Sequence, residues 1–267
     1  MIINMGTRYS QNFLVQSSIA QKIVGELGIK PGDSVLEIGP GRGILTDILL
    51  RENARLTVVE IDSLLAETLS KKWAAHASFR VIHSDFLDMK LPQDLGDLNG
   101  KIKIIGNLPY AVTSPILQKI LEWSGWDLAV FMVQKEVADR ICSAPGSKDY
   151  SVLTVSVQSR SSAEKTFNVA PGAFKPPPKV MSSVIRLKPL AEPRFAPDEE
   201  GIFFATAKAA FAQRRKMAAN SLANSLKISA ESARSALLRC GLSPTARAET
   251  FSVDDFARLA RILHGRP

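Results

Sequence analysis

Cysteine and histidine are scarce in this chain, whose 267 residues include two of the first and three of the second. Cys142 and Cys240 stand alone and far apart, so no disulfide framework is expected and a reducing cytosol suits the chain. His76, His83 and His264 have no companions at metal-ligand spacing, so no metal site is expected. No stretch approaches the roughly 18 uncharged apolar residues that a membrane span needs. The first ten residues carry neither the apolar core nor the small-residue cleavage site of a secretory leader. These absences argue against a disulfide-stapled secreted domain, a zinc module and an integral membrane protein, and a cytoplasmic location is expected.

What is present is ordinary for a globular chain: 45% hydrophobic and 22% charged residues, enough for one large domain and a small one. The net charge of +8 is unevenly placed. From Gly201 onward there are 11 Lys and Arg against 4 Asp and Glu, a balance of +7, which leaves +1 for residues 1–200. A polyanionic partner and a merely solvated basic helical surface both fit this distribution.

Up to about Pro189, short β-rich runs alternate with helical segments, the mark of an α/β sheet. The pattern predicts strands at 34–38, 56–60, 80–83, 102–106 and 128–133, and another at 181–188 after the Pro176-Pro177-Pro178 arm. It predicts helices at 17–27, 44–51, 64–73, 114–123 and 135–143, while 150–158 reads equally as strand or helix. Residues 189–197 hold three prolines and read as a linker. Beyond them, helices are expected at 203–217, 230–240 and 253–263, with Ser229 and Ser252 as caps and Gly241 as a stop. The expected domains are therefore 1–190, an α/β catalytic domain, and 191–267, a small helical one.

Three features of the first domain bear on chemistry. Val35-Leu36-Glu37-Ile38 runs into the turn Gly39-Pro40-Gly41-Arg42-Gly43, where glycines allow a ligand close to the backbone. Glu60 ends the second strand, about twenty residues after Gly39, where a carboxylate can grip both ribose hydroxyls. Asp85 follows the third strand, placed to accept from an adenine amine. A nicotinamide dinucleotide would favour Gly-x-Gly-x-x-Gly, and here the third glycine comes one position early. S-adenosylmethionine is the better match, with a nicotinamide-dependent oxidoreductase as a rival.

The third feature is Asn107-Leu108-Pro109-Tyr110, directly after the apolar run that ends at Ile105. The Asn107 side-chain oxygen and the Leu108 carbonyl can both accept from an adenine-type amine, and Tyr110 can stack on the ring. Pro109 lacks an N–H and fixes the turn. Asn and Pro also make ordinary turns at strand ends, so the motif gains weight from the acidic strand ends beside it. Phe174, next to the prolines, reads either as a second stacking ring or as a packing clamp.

With these residues in place, the chain resembles the small-subunit ribosomal RNA adenine dimethyltransferase family, the KsgA/RsmA type. The resemblance is carried by Gln11-Asn12-Phe13-Leu14, the 37–43 turn, Asn107-Leu108-Pro109-Tyr110 with Ser114-Pro115-Ile116-Leu117, and Phe174-Lys175-Pro176-Pro177-Pro178-Lys179-Val180. Phe211-Ala212-Gln213-Arg214-Arg215-Lys216 and Arg247-Ala248-Glu249 extend it over nearly the whole chain. It implies that Asn12, Leu14, Gly39, Glu60, Asp85 and Asn107 contact S-adenosylmethionine. It also implies a class I, Rossmann-like methyltransferase sheet of seven strands, one of them antiparallel, and makes 150–158 a helix. The implied activity is dimethylation of two adjacent adenosines in the 3′-terminal hairpin of small-subunit rRNA, late in ribosome assembly.

Asn107, Leu108, Pro109, Tyr110 and Phe174 are then the expected catalytic set. Arg214, Arg215 and Lys216 are expected on rRNA phosphate, and the chain is expected to act as a monomer without a metal. Ser10 and Ala111-Val112 depart from the family pattern; neither change touches a group used above. A large-subunit rRNA adenine methyltransferase and a non-catalytic assembly or transcription factor on the same fold are the remaining rivals. The basic 211–216 stretch and Arg247-Ala248-Glu249 favour the small-subunit type.

Overall fold

The computed structural model describes residues 12–96 and 100–265; Ser10 and Gln11 of the first motif lie outside the described residues. The first elements are β1 (Phe13–Leu14), α1 (Ser17–Gly25), β2 (Ser34–Ile38), α2 (Ile44–Arg51), β3 (Arg55–Glu60), α3 (Ser63–Lys72) and β4 (Phe79–His83). Next come β5 (Ile102–Asn107), α4 (Thr113–Glu122), β6 (Trp126–Gln134), α5 (Lys135–Ile141) and α6 (Val152–Gln158). Then follow β7 (Ser161–Val169), β8 (Phe174–Lys175), β9 (Ser182–Pro189), α7 (Glu200–Phe211), α8 (Ala218–Leu226), α9 (Ala230–Arg239) and α10 (Val253–Leu263).

Seven strands form one sheet in the order β4-β3-β2-β5-β6-β9-β7. Strands β2 to β6 pair in parallel, and β9 runs antiparallel to β6. The central strands are continuous apolar runs because helices cover both faces. Strand order reverses between β2 and β5, where Ile38 lies opposite Gly106, so their carboxyl ends open one crevice. A two-stranded ribbon pairs β1 with β8, with Leu14 opposite Phe174 and Phe13 opposite Lys175.

Two compact units result. One comprises the described residues up to Ala138 with Ala163–Pro189; the other comprises Asp139–Ser162 and the described residues from Leu190 onward. Residues 139–162, placed by sequence in the first domain, cluster with the C-terminal helices because Tyr150 and Val155 bury in the helical core beside Phe203 and Phe256. The ambiguous 150–158 segment is helical from Val152, and the Ser151 N–H donates to Thr154 Oγ1 at 3.0 Å. The expected linker is anchored by Phe195, 5% exposed, whose ring lies 4.7 Å from that of Phe203.

The structure differs from the sequence reading at three further places. The helix expected at 203–217 ends at Phe211, and residues 212–216 turn, with the Lys216 N–H on the Gln213 carbonyl at 2.9 Å. The turn lets α8 fold back so that Ala218, Ala219 and Leu222 bury in the same core as Phe203 and Ala210. Helix α8 itself was not expected, its Ala-Ser-Asn composition giving a weak periodicity. Strand β7 was also not expected; it is a sheet-edge strand with Glu164 and Lys165 exposed, so its pattern carries little alternation. Ser229 and Ser252 do cap α9 and α10, accepting from Ser232 and Asp255 backbone N–H groups.

Candidate active site

The crevice at the carboxyl ends of β2, β3 and β5 is a cleft of about 830 Å³, counted out to the solvent at its mouth. It is lined by Asn12, Leu14, Gly39, Glu60, Asn107, Leu108, Pro109 and Tyr110, all expected from sequence, and also by Glu37, Phe13 and Arg42. Gly39 and Asn107 leave adjacent strands, and the sheet register holds them together.

Gly106 permits that closeness. A Cβ there would meet the Ile38 carbonyl at 2.6 Å, so any side chain would force β2 and β5 apart where they carry Gly39 and Asn107. Gly41 is constrained twice, by a φ of +57° and by the Phe13 ring, which a Cβ would meet at 3.0 Å. The Arg42 guanidinium covers the other side of this contact, 4.7 Å from the Phe13 ring centre.

Glu60 is 2% exposed. Its Oε2 accepts the Gly41 N–H at 2.9 Å and its Oε1 the Asp62 N–H at 3.0 Å. Each oxygen keeps a further lone pair for hydroxyl donors. Burial raises its carboxyl above the ordinary value, opposed by those two backbone hydrogen bonds. The bond from Gly41 also decides between cofactor classes. A dinucleotide needs the glycine-turn N–H groups for its pyrophosphate, whereas here a carboxylate already holds one of them.

Glu37, to which the sequence reading gave no role, is 1% exposed on β2. Its Oε2 accepts the Thr46 hydroxyl at 2.6 Å, while Oε1 is buried without a hydrogen-bond partner. Burial pushes this carboxyl up to about 8, the Thr46 hydrogen bond opposing and the charges of Glu60 and Asp47 adding to the rise. A buried acceptor with no donor is costly, so the floor of the cleft suits a cationic or hydrogen-bond-donating ligand. The sequence signal was a carboxylate in an otherwise apolar strand.

The Asn107 to Tyr110 segment is pinned from several sides. Asn107 Nδ2 donates to the Asn12 carbonyl at 3.1 Å, which leaves its side-chain oxygen as acceptor. The Leu108 N–H donates to the Met132 carbonyl at 3.1 Å. The Pro109 carbonyl accepts the Val112 N–H at 3.1 Å and the Thr113 hydroxyl at 3.0 Å. Tyr110 Oη lies 3.0 Å from Ser182 Oγ, which fixes the ring at the cleft wall.

Asp85 and Phe174 are not among the residues lining the cleft. Asp85 Oδ1 accepts the Leu87 N–H at 2.8 Å, the geometry of a carboxylate closing its own loop. Phe174 is 4% exposed and packed in the core cluster with Leu14 and Val184, the arrangement of a clamp rather than of a free stacking face. Arg214, Arg215 and Lys216 belong to the helical unit, where all three are exposed on the turn after α7 rather than on a helix face. Arg214 bonds the Lys148 carbonyl and lies 3.7 Å from Glu249. Among the described residues, no group of three or more His, Cys, Asp or Glu side chains could hold a metal, and no helix is long and apolar enough to cross a membrane.

Comparison with known proteins gives this geometry a context. A family model described as ribosomal RNA adenine dimethylase matches residues 2–264. The chain is 40% identical over 260 residues to a ribosomal RNA small subunit methyltransferase A from Caldanaerobacter subterraneus subsp. tengcongensis, covering 96% of each protein. It is 41% identical over 259 residues to a protein of the same name from Bordetella petrii, covering 96% of this chain and 94% of that one. Among solved structures, a dimethyladenosine transferase from Plasmodium falciparum aligns with a TM-score of 0.78 at 25% identity, covering 92% of this chain and 95% of the other. The 23S rRNA methyltransferase ErmE aligns at 0.72 and 28% identity, covering 95% and 100%.

Proposed function

The chain belongs to the ribosomal RNA adenine dimethylase family, and from that premise we propose that it uses S-adenosylmethionine to dimethylate two adjacent adenosines in the 3′-terminal hairpin of small-subunit rRNA. The observation that carries this reading is the cleft itself. Two buried carboxyl groups, Glu37 and Glu60, stand across from an amide and a carbonyl, those of Asn107 and Leu108, along one crevice.

The residues fit the donor. Glu60 keeps lone pairs for ribose hydroxyls, and the unpartnered Glu37 Oε1 can answer a cationic group. The Gly39 and Gly41 backbone, together with Asn12 and Leu14, shapes the wall beside it. Bound there, the donor supplies a methyl group already activated on a sulfonium, so the reading calls for no metal.

The protein's task is then to present the nucleophile. The adenine amine is a poor one because its lone pair is delocalised into the ring. Asn107 Oδ1 and the Leu108 carbonyl would accept the amine hydrogens and favour a pyramidal nitrogen, while Tyr110 stacks on the extruded base. This is positioning and electrostatic preorganisation. As the N–C bond forms and the S–C bond breaks, the amine becomes acidic and gives its proton to water, so no strong base is needed. Second methylation requires only one of the two acceptor contacts, since the mono-methylated amine has one hydrogen left. Phe174 contributes as a positioning residue, holding β1 and hence Asn12 and Leu14 through the β1–β8 ribbon. Asp85 holds the loop after β4 and reaches the adenine only if that loop adjusts on binding.

Arg214, Arg215 and Lys216 supply phosphate contacts to the rRNA, and the protein works as a cytoplasmic monomer on the assembling small subunit. The relatives at 40% and 41% identity carry the small-subunit name, whereas the 23S rRNA enzyme stands at 28%, which supports the small-subunit substrate. Labelled donor, incubated with unmodified small and large subunits and followed by mapping of modified adenosines, tests it. Label confined to two neighbouring adenosines of the small-subunit rRNA is expected; label on the large subunit alone, or on neither, would refute the reading.

A further inference from the structure

Large apolar side chains that remain exposed are few: among the described residues they are Val15, Leu64, Val180, Met181 and Leu238. Scattered singly they need no explanation. Three of them, however, adjoin the cleft along the chain. Val15 follows Leu14, which lines the cleft, and Met181 precedes Ser182, whose hydroxyl holds Tyr110. Val15, Val180 and Met181 are 47%, 45% and 41% exposed.

The segment bearing Val180 and Met181 is held in place, not frayed. The Met181 carbonyl accepts the Lys135 N–H at 2.9 Å, and Ser182 is fully buried. Upstream, Pro176-Pro177-Pro178 restricts the backbone, and Pro178 is buried. The chain thus fixes its backbone here while presenting apolar side chains to solvent. Its charge has one sign: Lys175 and Lys179 are exposed, and residues 165–191 contain no Asp or Glu.

A rigid, cationic segment tipped with apolar groups beside a site for an extruded base has a definite complement. Removing a base from a stack leaves an apolar gap between its neighbours, and a polyanionic backbone runs on either side. We infer that the Lys175 to Met181 arm receives the rRNA strand flanking the target adenosine, with Lys175 and Lys179 on phosphates and Val180 and Met181 filling the gap the extruded base leaves. This rests on the function proposed above and assigns a surface that the donor and amine contacts leave unused. Val15 extends the same apolar rim from the β1 side.

The test uses the full-length protein, labelled donor and unmodified small subunits. For V180S/M181S, kcat/KM for subunits should fall about tenfold, the scale of one lost base contact. Donor affinity and the salt dependence of subunit binding should stay as in the parent. For K175Q/K179Q, the salt dependence should become shallower by roughly 1.8, about 0.9 per phosphate released, again with donor affinity unchanged. A V180S/M181S protein within twofold of the parent, or one whose loss matches a loss of donor affinity, would overturn the inference. If the parent itself places no label on small subunits, it is the proposed function that fails, and the two failures are told apart by that control.

Discussion

The two compact units treat buried carboxylates in opposite ways. In the helical unit Glu199, 9% exposed, is answered by Arg261, whose Nε and guanidinium nitrogen lie 2.8 and 3.1 Å from its two oxygens. In the sheet unit Glu37 and Glu60 are more deeply buried, and neither has a cationic side chain beside it among the described residues. Glu60 is met by backbone N–H groups, and one oxygen of Glu37 by nothing at all. A structural carboxylate is paired when it is buried. One left short of partners at the mouth of a crevice is placed for a ligand. The same contrast holds for cations: Arg214, Arg215 and Lys216 stand exposed on the helical unit's turn, free of the desolvation that the cleft imposes.

If this division of labour is right, substitutions in the cleft should change donor binding or methyl transfer, and those on the basic turn should change only RNA affinity. The largest effect is expected for Asn107→Ala. Loss of one preorganised group at the reacting centre should lower kcat by about 10²–10³-fold, measured in single-turnover transfer to small subunits. A variant within threefold of the parent would remove Asn107 from the chemistry. Tyr110→Ala should likewise retain donor binding while losing methyl transfer, and unchanged turnover would remove the stacking role.

Next comes Glu60→Ala, set against Glu199→Ala. The first should weaken donor binding by roughly ten- to a hundredfold, the range for a hydrogen bond to a charged group, with little change in unfolding midpoint. The second should lower the midpoint and leave donor affinity intact. Calorimetric titration with thermal unfolding checks both, and the comparison breaks if the two variants behave alike. Smaller again is the effect of replacing Arg214, Arg215 and Lys216 together by glutamine. Subunit affinity should fall about tenfold, and the salt slope should become shallower by up to about 2.7. Any loss of donor affinity in that variant would sink the separation between the units.

Legibility from sequence followed the same division. The parallel strands were legible because burial on both faces makes them unbroken apolar runs, and the register of β2 and β5 then brings Gly39 and Asn107 together without further information. Edge strand β7, with its exposed Glu164 and Lys165, and helix α8, rich in Ala and Ser, lack the periodicity that reading depends on. The grouping of 139–162 with the C-terminal helices was hidden because long-range burial of Tyr150 leaves no local mark. Within the cleft, Glu60 was readable from its place at a strand end. Asp85 occupied a similar place yet closes its own loop through Leu87, a choice between two acceptor roles that spacing does not encode. Phe174 poses the same problem, since a buried clamp and a stacking platform have one sequence.

The finest test of the contrast is Glu37→Gln, read through pH. Burial raises the Glu37 carboxyl to about 8 in the folded protein, while the unfolded chain releases that proton in the ordinary carboxylate range. Between those two points the folded state holds a proton that the unfolded state has lost. Stability should therefore fall as pH rises through this window, by at most about 1.4 kcal/mol per pH unit, the limit for one proton. Glutamine cannot titrate, so the variant should show a shallower fall, with the remaining slope owed in part to Glu60, which is shifted in the same direction. A cationic donor opposite Glu37 would favour the ionised form, so binding to the parent below pH 8 should release a proton that binding to the variant does not. Titrations in two buffers of different ionisation enthalpy would count it. Parallel stability curves from pH 5 to 9, with equal proton release, would mean that Glu37 is a silent core residue, and that its missing partner is no sign of a ligand.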